Sequence, residues 1–179
     1  MTYPVFSTGD VLPASDMNAI GLWLVKSQAI GSGVSSVTVT SAFSASFDNY
    51  LITISGGTAS GSGSMSMQMN NSTGSTYYVA GEYGNYGVNA GVTYSPAAAT
   101  KWTDCILIGT SVYSANIFLT SPYASRPTLG TTDTFSQASF YNFNLLDSSS
   151  TSNTGFTLTP VTGGTTLTGG TIRVYGYRN

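Results

Sequence analysis

Apolar and polar residues alternate with a period of two along most of the chain after the first two dozen residues. Successive side chains of a strand point to opposite faces, so this pattern predicts strands with one buried face. β-branched and aromatic residues at the alternating positions favour the same structure. The predicted strands are 22–27, 37–40, 50–54, 64–69, 76–82, 104–109, 114–120, 135–143, 155–159 and 171–177.

Small and turn-forming residues separate the predicted strands. Gly, Asn and Ser permit the positive φ values and local hydrogen bonds that tight connections require. The predicted connections are 31–33, 56–57, 61–63, 70–74, 148–153, 163–164 and 169–170. Short strands between such turns predict an all-β fold, an antiparallel β-sandwich of jelly-roll type, with a closed barrel as the alternative. Strand surfaces made of Ser and Thr leave the sheet edges poorly protected, which favours oligomerisation.

The amino-terminal segment lacks this alternation and predicts a short arm with one helical turn or short helix. Ser15 is a suitable N-cap, Asp16 suits the first turn, and Gly21 ends the helix. We therefore predict a docking arm at 1–25 and a β-sandwich domain at 26–179. The arm either packs on its own domain or docks it onto a larger assembly. The side chains expected to make the docking contact are Phe6, Val11, Leu12, Met17, Ile20 and Trp23.

The chain has almost none of the side chains that usually carry catalysis, with no His, one Cys and seven acidic residues among 179. A Ser-His-acid triad needs a histidine, and zinc sites need clusters of Cys, His and carboxylate. Glycine-rich phosphate motifs are absent as well. We predict a non-enzymatic protein with no catalytic residues, cofactor or metal site. A glycosidase carboxylate pair is the remaining enzymatic alternative, with Asp104 and Glu82 as the residues to test.

Charge and hydropathy limit the classes of partner that the protein is expected to bind. The formal charge is -2, and the five basic residues do not cluster, which argues against nucleic acid. No basic-then-apolar signal pattern begins the chain, and the longest apolar stretch, 20–25, is too short to insert into a membrane. Synthesis in the cytoplasm is expected. Cys105 lies in an apolar run, which predicts a buried small hydrophobe rather than a reactive thiol.

Several aromatic residues fall in the glycine-rich middle of the chain. Exposed rings beside Asn and Asp are one way in which β-proteins hold sugars, although some of these rings belong in the core. The candidate ligand-binding aromatics are Tyr83, Tyr86, Tyr94 and Trp102.

Four segments resemble structural proteins of tailed bacteriophages, namely tail fibre, tail tip or head appendage proteins. The first is Phe6-x-x-Gly9-Asp10-Val11-Leu12-x-Ala14-Ser15-Asp16-Met17-Asn18, and the others are 35–40, 47–52 and 170–177. The resemblance covers both ends and the first third of the chain.

The resemblance implies a β-sandwich that self-associates, often as a trimer, and attaches to the virion through its amino terminus. The expected partners are other tail or capsid proteins, and the expected location is the exterior of the particle. A host receptor or glycan-binding module, or a capsid decoration protein, is the alternative function. The lack of His removes the usual charge switch between pH 5 and 8, which suits such a building block.

Overall fold

The fold is known from a computed structural model, which describes residues 8–9, 11, 21–88, 91–94, 98–136 and 139–177, with the backbone alone at 91–94. The described residues form strands and contain no helix. The strands are β1 (Leu22–Ala29), β2 (Val37–Val39), β3 (Asn49–Ala59), β4 (Gly63–Met69), β5 (Tyr77–Asn85), β6 (Gly91–Tyr94), β7 (Trp102–Ile108), β8 (Tyr113–Thr120), β9 (Thr128–Phe135), β10 (Ser139–Asp147), β11 (Phe156–Pro160), β12 (Leu167–Thr168) and β13 (Thr171–Tyr177).

The strands form two antiparallel sheets. The large sheet has the order β1-β13-β3-β8-β9-β10-β5-β6, with β12 also paired to β3. The small sheet has the order β2-β11-β4-β7. The predicted all-β class is confirmed. Two short connections, between β3 and β4 and between β7 and β8, pass from one sheet to the other.

One hydrophobic core joins the inward faces of both sheets. The alternation that predicted the strands also selects this core, because Ile52 and Ile54 of β3 and Met65, Met67 and Met69 of β4 are all buried. Cys105 is fully buried beside them, which confirms its assignment as a core residue.

The free edge of β7 is covered by two buried threonines of β9. Thr132 donates a hydrogen bond to the Cys105 carbonyl at 2.9 Å, and the Leu107 amide donates to the Thr134 hydroxyl at 3.1 Å. At the other edge of the small sheet, the side-chain amide of Gln28 donates a hydrogen bond to the Thr38 carbonyl of β2 at 2.9 Å. Side chains of the large sheet therefore protect both edges of the small sheet, although the sequence predicted poorly protected edges.

The predicted strand 135–143 is wrong, because this segment contains the connection between two strands. β9 ends at Phe135 and β10 begins at Ser139, and the Ser136 amide donates to the Ser139 carbonyl at 2.9 Å. β9, β6 and β12 were not predicted. The strand 171–177 is present with the predicted ends, and the other predicted strands are present with shifted ends.

The predicted turn at 56–57 is wrong, because this glycine pair lies inside β3, whereas the glycines at 169–170 lie between β12 and β13, as predicted. Thr168 pairs with Thr58 and Thr171 with Ser55, so the two pairs of glycines face each other. Gly56, Gly169 and Gly170 have φ values of +81°, +67° and +86°. A Cβ on Gly170 would lie 2.6 Å from the Gly57 amide nitrogen. The glycines therefore permit a local kink and a close approach within β3 and its partner strands.

The boundary predicted between arm and domain falls inside β1. This strand pairs with β13 from Leu22 to Ala29, with an irregularity between Leu24 and Lys26. Residues 22–25 therefore belong to the large sheet. The predicted helix at 15–20 lies outside the described residues.

Candidate ligand notch and assembly surface

Three aromatic rings and one carboxylate surround a cavity of about 210 Å³. The lining residues are Tyr83 of β5, Asp104 of β7, and Tyr141 and Phe143 of β10, and we call this site the aromatic notch. Tyr83 and Tyr141 are directly paired across the ladder, with ring centroids 5.6 Å apart. The Tyr141 and Phe143 centroids are 5.2 Å apart.

A glycine allows Phe143 to lie against β5. Gly81 pairs directly with Phe143, and a Cβ on Gly81 would lie 2.6 Å from the Phe143 ring and 2.2 Å from the Asn142 carbonyl oxygen. No side chain larger than hydrogen fits at this position without a shift of the backbone. The glycine-rich sequence of β5 thus makes room for the aromatic rings of β10.

Asp104 lies in a bulge of β7 and has an unusual backbone conformation. Met65 pairs with Ile106 and Met67 with Trp102, so β7 has two more residues than β4 between these pairs. The φ of Asp104 is +58°, in the left-handed region, which Asp adopts more readily than most residues. The Ser64 hydroxyl donates a hydrogen bond to Oδ1 of Asp104. Bulges of this kind redirect a side chain, and here the carboxylate lines the notch.

The notch disfavours negative charge on the Tyr141 phenol. Burial raises the pKa of Tyr141, and the charges of Asp104 and Tyr83 raise it further. The first cause is loss of hydration of the phenolate, and the second is repulsion between like charges.

A larger cleft of about 590 Å³ shares Tyr141 with the notch. Hydroxyl groups of Ser62, Thr110, Ser136 and Ser139 contribute to its lining. The two spaces are adjacent, and hydroxyl groups are present in the lining of the larger one.

The structure separates the four aromatic residues that the sequence proposed for ligand binding. Tyr83 lines the notch, whereas Tyr86 is 55% exposed and packs on Phe140 with the ring centroids 6.0 Å apart. Tyr94 of β6 pairs with Gly81 of β5, and only its backbone is described.

Trp102 is instead a core residue. It is fully buried, its indole donates to the Leu146 carbonyl at 3.0 Å, and its ring meets Tyr77 edge-on at 5.2 Å. Both ring faces are therefore covered by protein, because Trp102 begins a strand of the small sheet whose side chains face the core.

Tyr141 and Phe143 were not predicted for this site, and Asp104 was considered only as a candidate catalytic acid. Tyr141 and Phe143 were missed as lining residues because 135–143 was predicted to be one continuous strand. A polar pair, Thr103-Asp104, interrupts the otherwise apolar run 102–108, and this interruption was the available signal for a bulge.

The outer face of the large sheet exposes a broad apolar strip, which we call the outer apolar surface. The pairing registers place its residues in two adjacent rows that cross the strands from β1 to β5, and the same rows also contain the polar residues Asn49, Thr120, Thr131 and Asn144. The most exposed members are Leu22, Leu24, Tyr78, Phe118 and Leu129. Less exposed members are Leu51, Leu146, Tyr175 and Tyr177. Seven strands about 4.8 Å apart make this strip roughly 30 Å long.

Two of the six predicted docking residues fall among the described residues. Val11 is 88% exposed, and Trp23 of β1 is 39% exposed and pairs with Gly176. Phe6, Leu12, Met17 and Ile20 lie outside the described residues. Leu22 and Leu24, which the sequence analysis did not include, lie in the outer apolar surface directly after the arm.

Among the described residues, no group of three or more His, Cys, Asp or Glu could hold a metal ion. The same part of the chain contains no helix of the length and hydropathy that crossing a membrane requires.

No family model, curated protein or solved structure matches the chain at a significant level.

Proposed function

We propose that this chain is a non-enzymatic structural component of a bacteriophage virion, most specifically a tail fibre or tail-associated protein. It self-assembles, as a trimer in the favoured case, and attaches to tail or capsid proteins through its amino-terminal arm. Its place is the exterior of the particle. The resemblance of the arm and of the last strand to phage structural proteins motivates this proposal.

The observation that carries the proposal is the continuity between the arm and the outer apolar surface. β1 follows the arm directly and contributes Leu22, 42% exposed, and Leu24, 56% exposed, to that surface. Monomeric proteins rarely expose apolar patches larger than a few hundred Å², and larger ones mark interaction sites. A surface of this kind suits a protein whose contacts are made by burying apolar area.

The acidic residues support a non-enzymatic role. Glu82 is exposed on the opposite face of β5 from Tyr83, so it does not face Asp104 across the notch as a glycosidase pair would. Asp147 is fully buried and accepts hydrogen bonds from Thr76 and Ser149, which anchor the ends of β5 and β10. Asp133 accepts a hydrogen bond from Asn142 at 2.6 Å.

A jelly-roll sandwich is the topology that we propose for the body. The small-sheet order β2-β11-β4-β7 corresponds to one sheet of an eight-stranded jelly roll. The large-sheet order β3-β8-β9-β10-β5-β6 corresponds to the other sheet if the meander β8–β10 replaces a single strand. The strands β1 and β13 then extend the second sheet at its edge.

A receptor or glycan-binding module is the second candidate, favoured by the aromatic notch and the hydroxyl-lined cleft beside it. Capsid decoration is a variant of the main proposal that differs only in the partner.

Deletion of residues 1–20 tests the docking role of the arm. The shortened chain retains all the strands of the described residues, so we expect an unchanged β-type circular dichroism spectrum and a cooperative thermal transition. In cells that supply only this form, we expect virions that lack the protein in sedimentation and immunoblot assays. Full-length protein supplied from the same vector is the control. Normal incorporation of the shortened chain would overturn the docking proposal.

A further inference from the structure

We propose that the aromatic notch binds an organic ammonium group, such as the quaternary ammonium of choline or a protonated primary amine. The inference goes beyond the proposed virion role and does not depend on it. The guest is identified by the chemistry of the four lining side chains, Tyr83, Asp104, Tyr141 and Phe143.

The rings supply the first part of the recognition. The face of an aromatic ring carries negative electrostatic potential and attracts a cation that lies within about 6 Å of its centroid. Three rings with neighbouring centroids 5.6 and 5.2 Å apart line the same small cavity. An alkylammonium group in this cavity meets several rings at once and loses part of its hydration shell, which strengthens the attraction.

The carboxylate supplies the second part. Asp104 is the single charged residue in the lining, which contains no basic side chain. Its left-handed φ of +58° and the bulge in β7 direct it to this position, and Ser64 holds its Oδ1 by a hydrogen bond. Backbone conformations of this kind cluster at ligand sites. One negative charge among three rings selects a cation over a neutral guest and repels phosphates and carboxylates.

Part of the pKa shift of Tyr141 is consistent with a preference of the notch for cations. Its pKa is raised by burial and by the nearby charges of Asp104 and Tyr83. Burial opposes a charge of either sign, so only the Asp104 contribution bears on a cation, and its negative charge favours a positive charge in the same space.

The dimensions favour a small head group rather than a whole ligand. The notch measures about 210 Å³, below the usual 300–1,000 Å³ of pockets that hold drug-sized molecules. The adjoining cleft of about 590 Å³ leaves room for a polar chain that continues from the ammonium group along the Ser and Thr hydroxyls.

The test compares choline with 3,3-dimethylbutan-1-ol, its neutral isostere, by NMR titration of the full-length protein. We expect saturable shifts with choline and binding of the alcohol weaker by roughly tenfold or more, because only choline carries the charge. Ethanolamine distinguishes a primary from a quaternary ammonium guest, and preference for either supports the proposal.

Variants locate the site. Asp104→Asn retains a residue that tolerates the left-handed conformation and can still accept the Ser64 hydrogen bond, so the fold is expected to persist. We expect this change and Tyr141→Ala each to weaken choline binding by roughly tenfold or more. Tyr86→Ala, which removes an exposed ring outside the notch, is the matched control and leaves the affinity unchanged.

Three results would overturn the inference: no saturation by choline or ethanolamine at tens of millimolar, equal affinity for the neutral isostere, or unchanged binding in Asp104→Asn. Binding of methyl glycosides without binding of either ammonium compound would also overturn it and would instead assign the notch to neutral sugars.

Discussion

At the scale of single residues, two buried tyrosines have opposite hydrogen-bonding states. The Tyr77 hydroxyl donates to the Ser72 carbonyl at 2.7 Å and accepts from the Met69 amide at 3.1 Å. The Tyr113 hydroxyl is equally buried but has no hydrogen-bond partner among the described residues. It presses against the backbone at Gly57, where a Cβ would lie 2.8 Å from it. The same side chain therefore stabilises one site and carries an uncompensated cost at the other.

Phenylalanine substitutions separate these two cases. Tyr113→Phe removes an unpaired hydroxyl and is expected to raise the free energy of unfolding by about 1 kcal/mol, whereas Tyr77→Phe removes two hydrogen bonds and is expected to lower it by about 1–3 kcal/mol. Urea unfolding of both variants measures these changes. A loss of stability in Tyr113→Phe as large as that in Tyr77→Phe would contradict this assignment.

Alkaline titration checks the same pair independently. Burial raises the pKa of each phenol to about 12 from 10.0. A raised folded pKa contributes stability that is complete below the unfolded pKa, so stability is expected to fall as pH rises from 10 towards 12. Each phenylalanine variant reduces that fall.

At the scale of the strands, β9 shows how a polar sequence is used inside the fold. Thr132 and Thr134 point into the core. Their hydroxyls form hydrogen bonds with the Cys105 carbonyl and the Leu107 amide at the free edge of β7. The exposed edge of a sheet invites pairing with another strand, and here side chains of the facing sheet occupy it instead.

Valine substitutions in β9 measure this contribution. Thr134→Val leaves the Leu107 amide buried without its acceptor, and the free energy of unfolding is expected to fall by about 1–3 kcal/mol. Thr131→Val, on the outward face of the same strand, is the control and is expected to change stability by less than about 0.5 kcal/mol. Equal effects of the two substitutions in urea unfolding would show that the edge contacts contribute nothing.

Strands were predicted correctly from the sequence where apolar alternation was strong. They were missed where polar residues occupy the inward-facing positions of a strand. The strands β3, β4, β8 and β13 follow from alternation alone. β9 was missed because threonines replace apolar residues on its inward face. The glycines at 56–57 suggested a turn because their conformational freedom is the same in a turn and in a kinked strand. Trp102 was misplaced because composition does not distinguish core rings from exposed ones.

At the scale of the whole molecule, two features determine the behaviour that we expect. The chain has no His and few charged residues, so assembly contacts depend little on protonation between pH 5 and 8. The outer apolar surface crosses the large sheet and is exposed in the single chain. An apolar surface of this extent, with little charge to regulate it, is typical of a subunit that functions in an assembly.

The central claim, a subunit that self-associates through the outer apolar surface, is tested most directly by the mass of the purified full-length chain in solution. Light scattering after gel filtration is expected to give a multiple of 18.6 kDa, three-fold in the favoured case, that is constant between pH 5 and 8. The double substitution of Phe118 and Leu129 by Ser is expected to lower that mass, and Val112→Ser, at a more exposed residue outside the surface, is expected to leave it unchanged. A wild-type mass of 18.6 kDa at micromolar concentration would contradict the account.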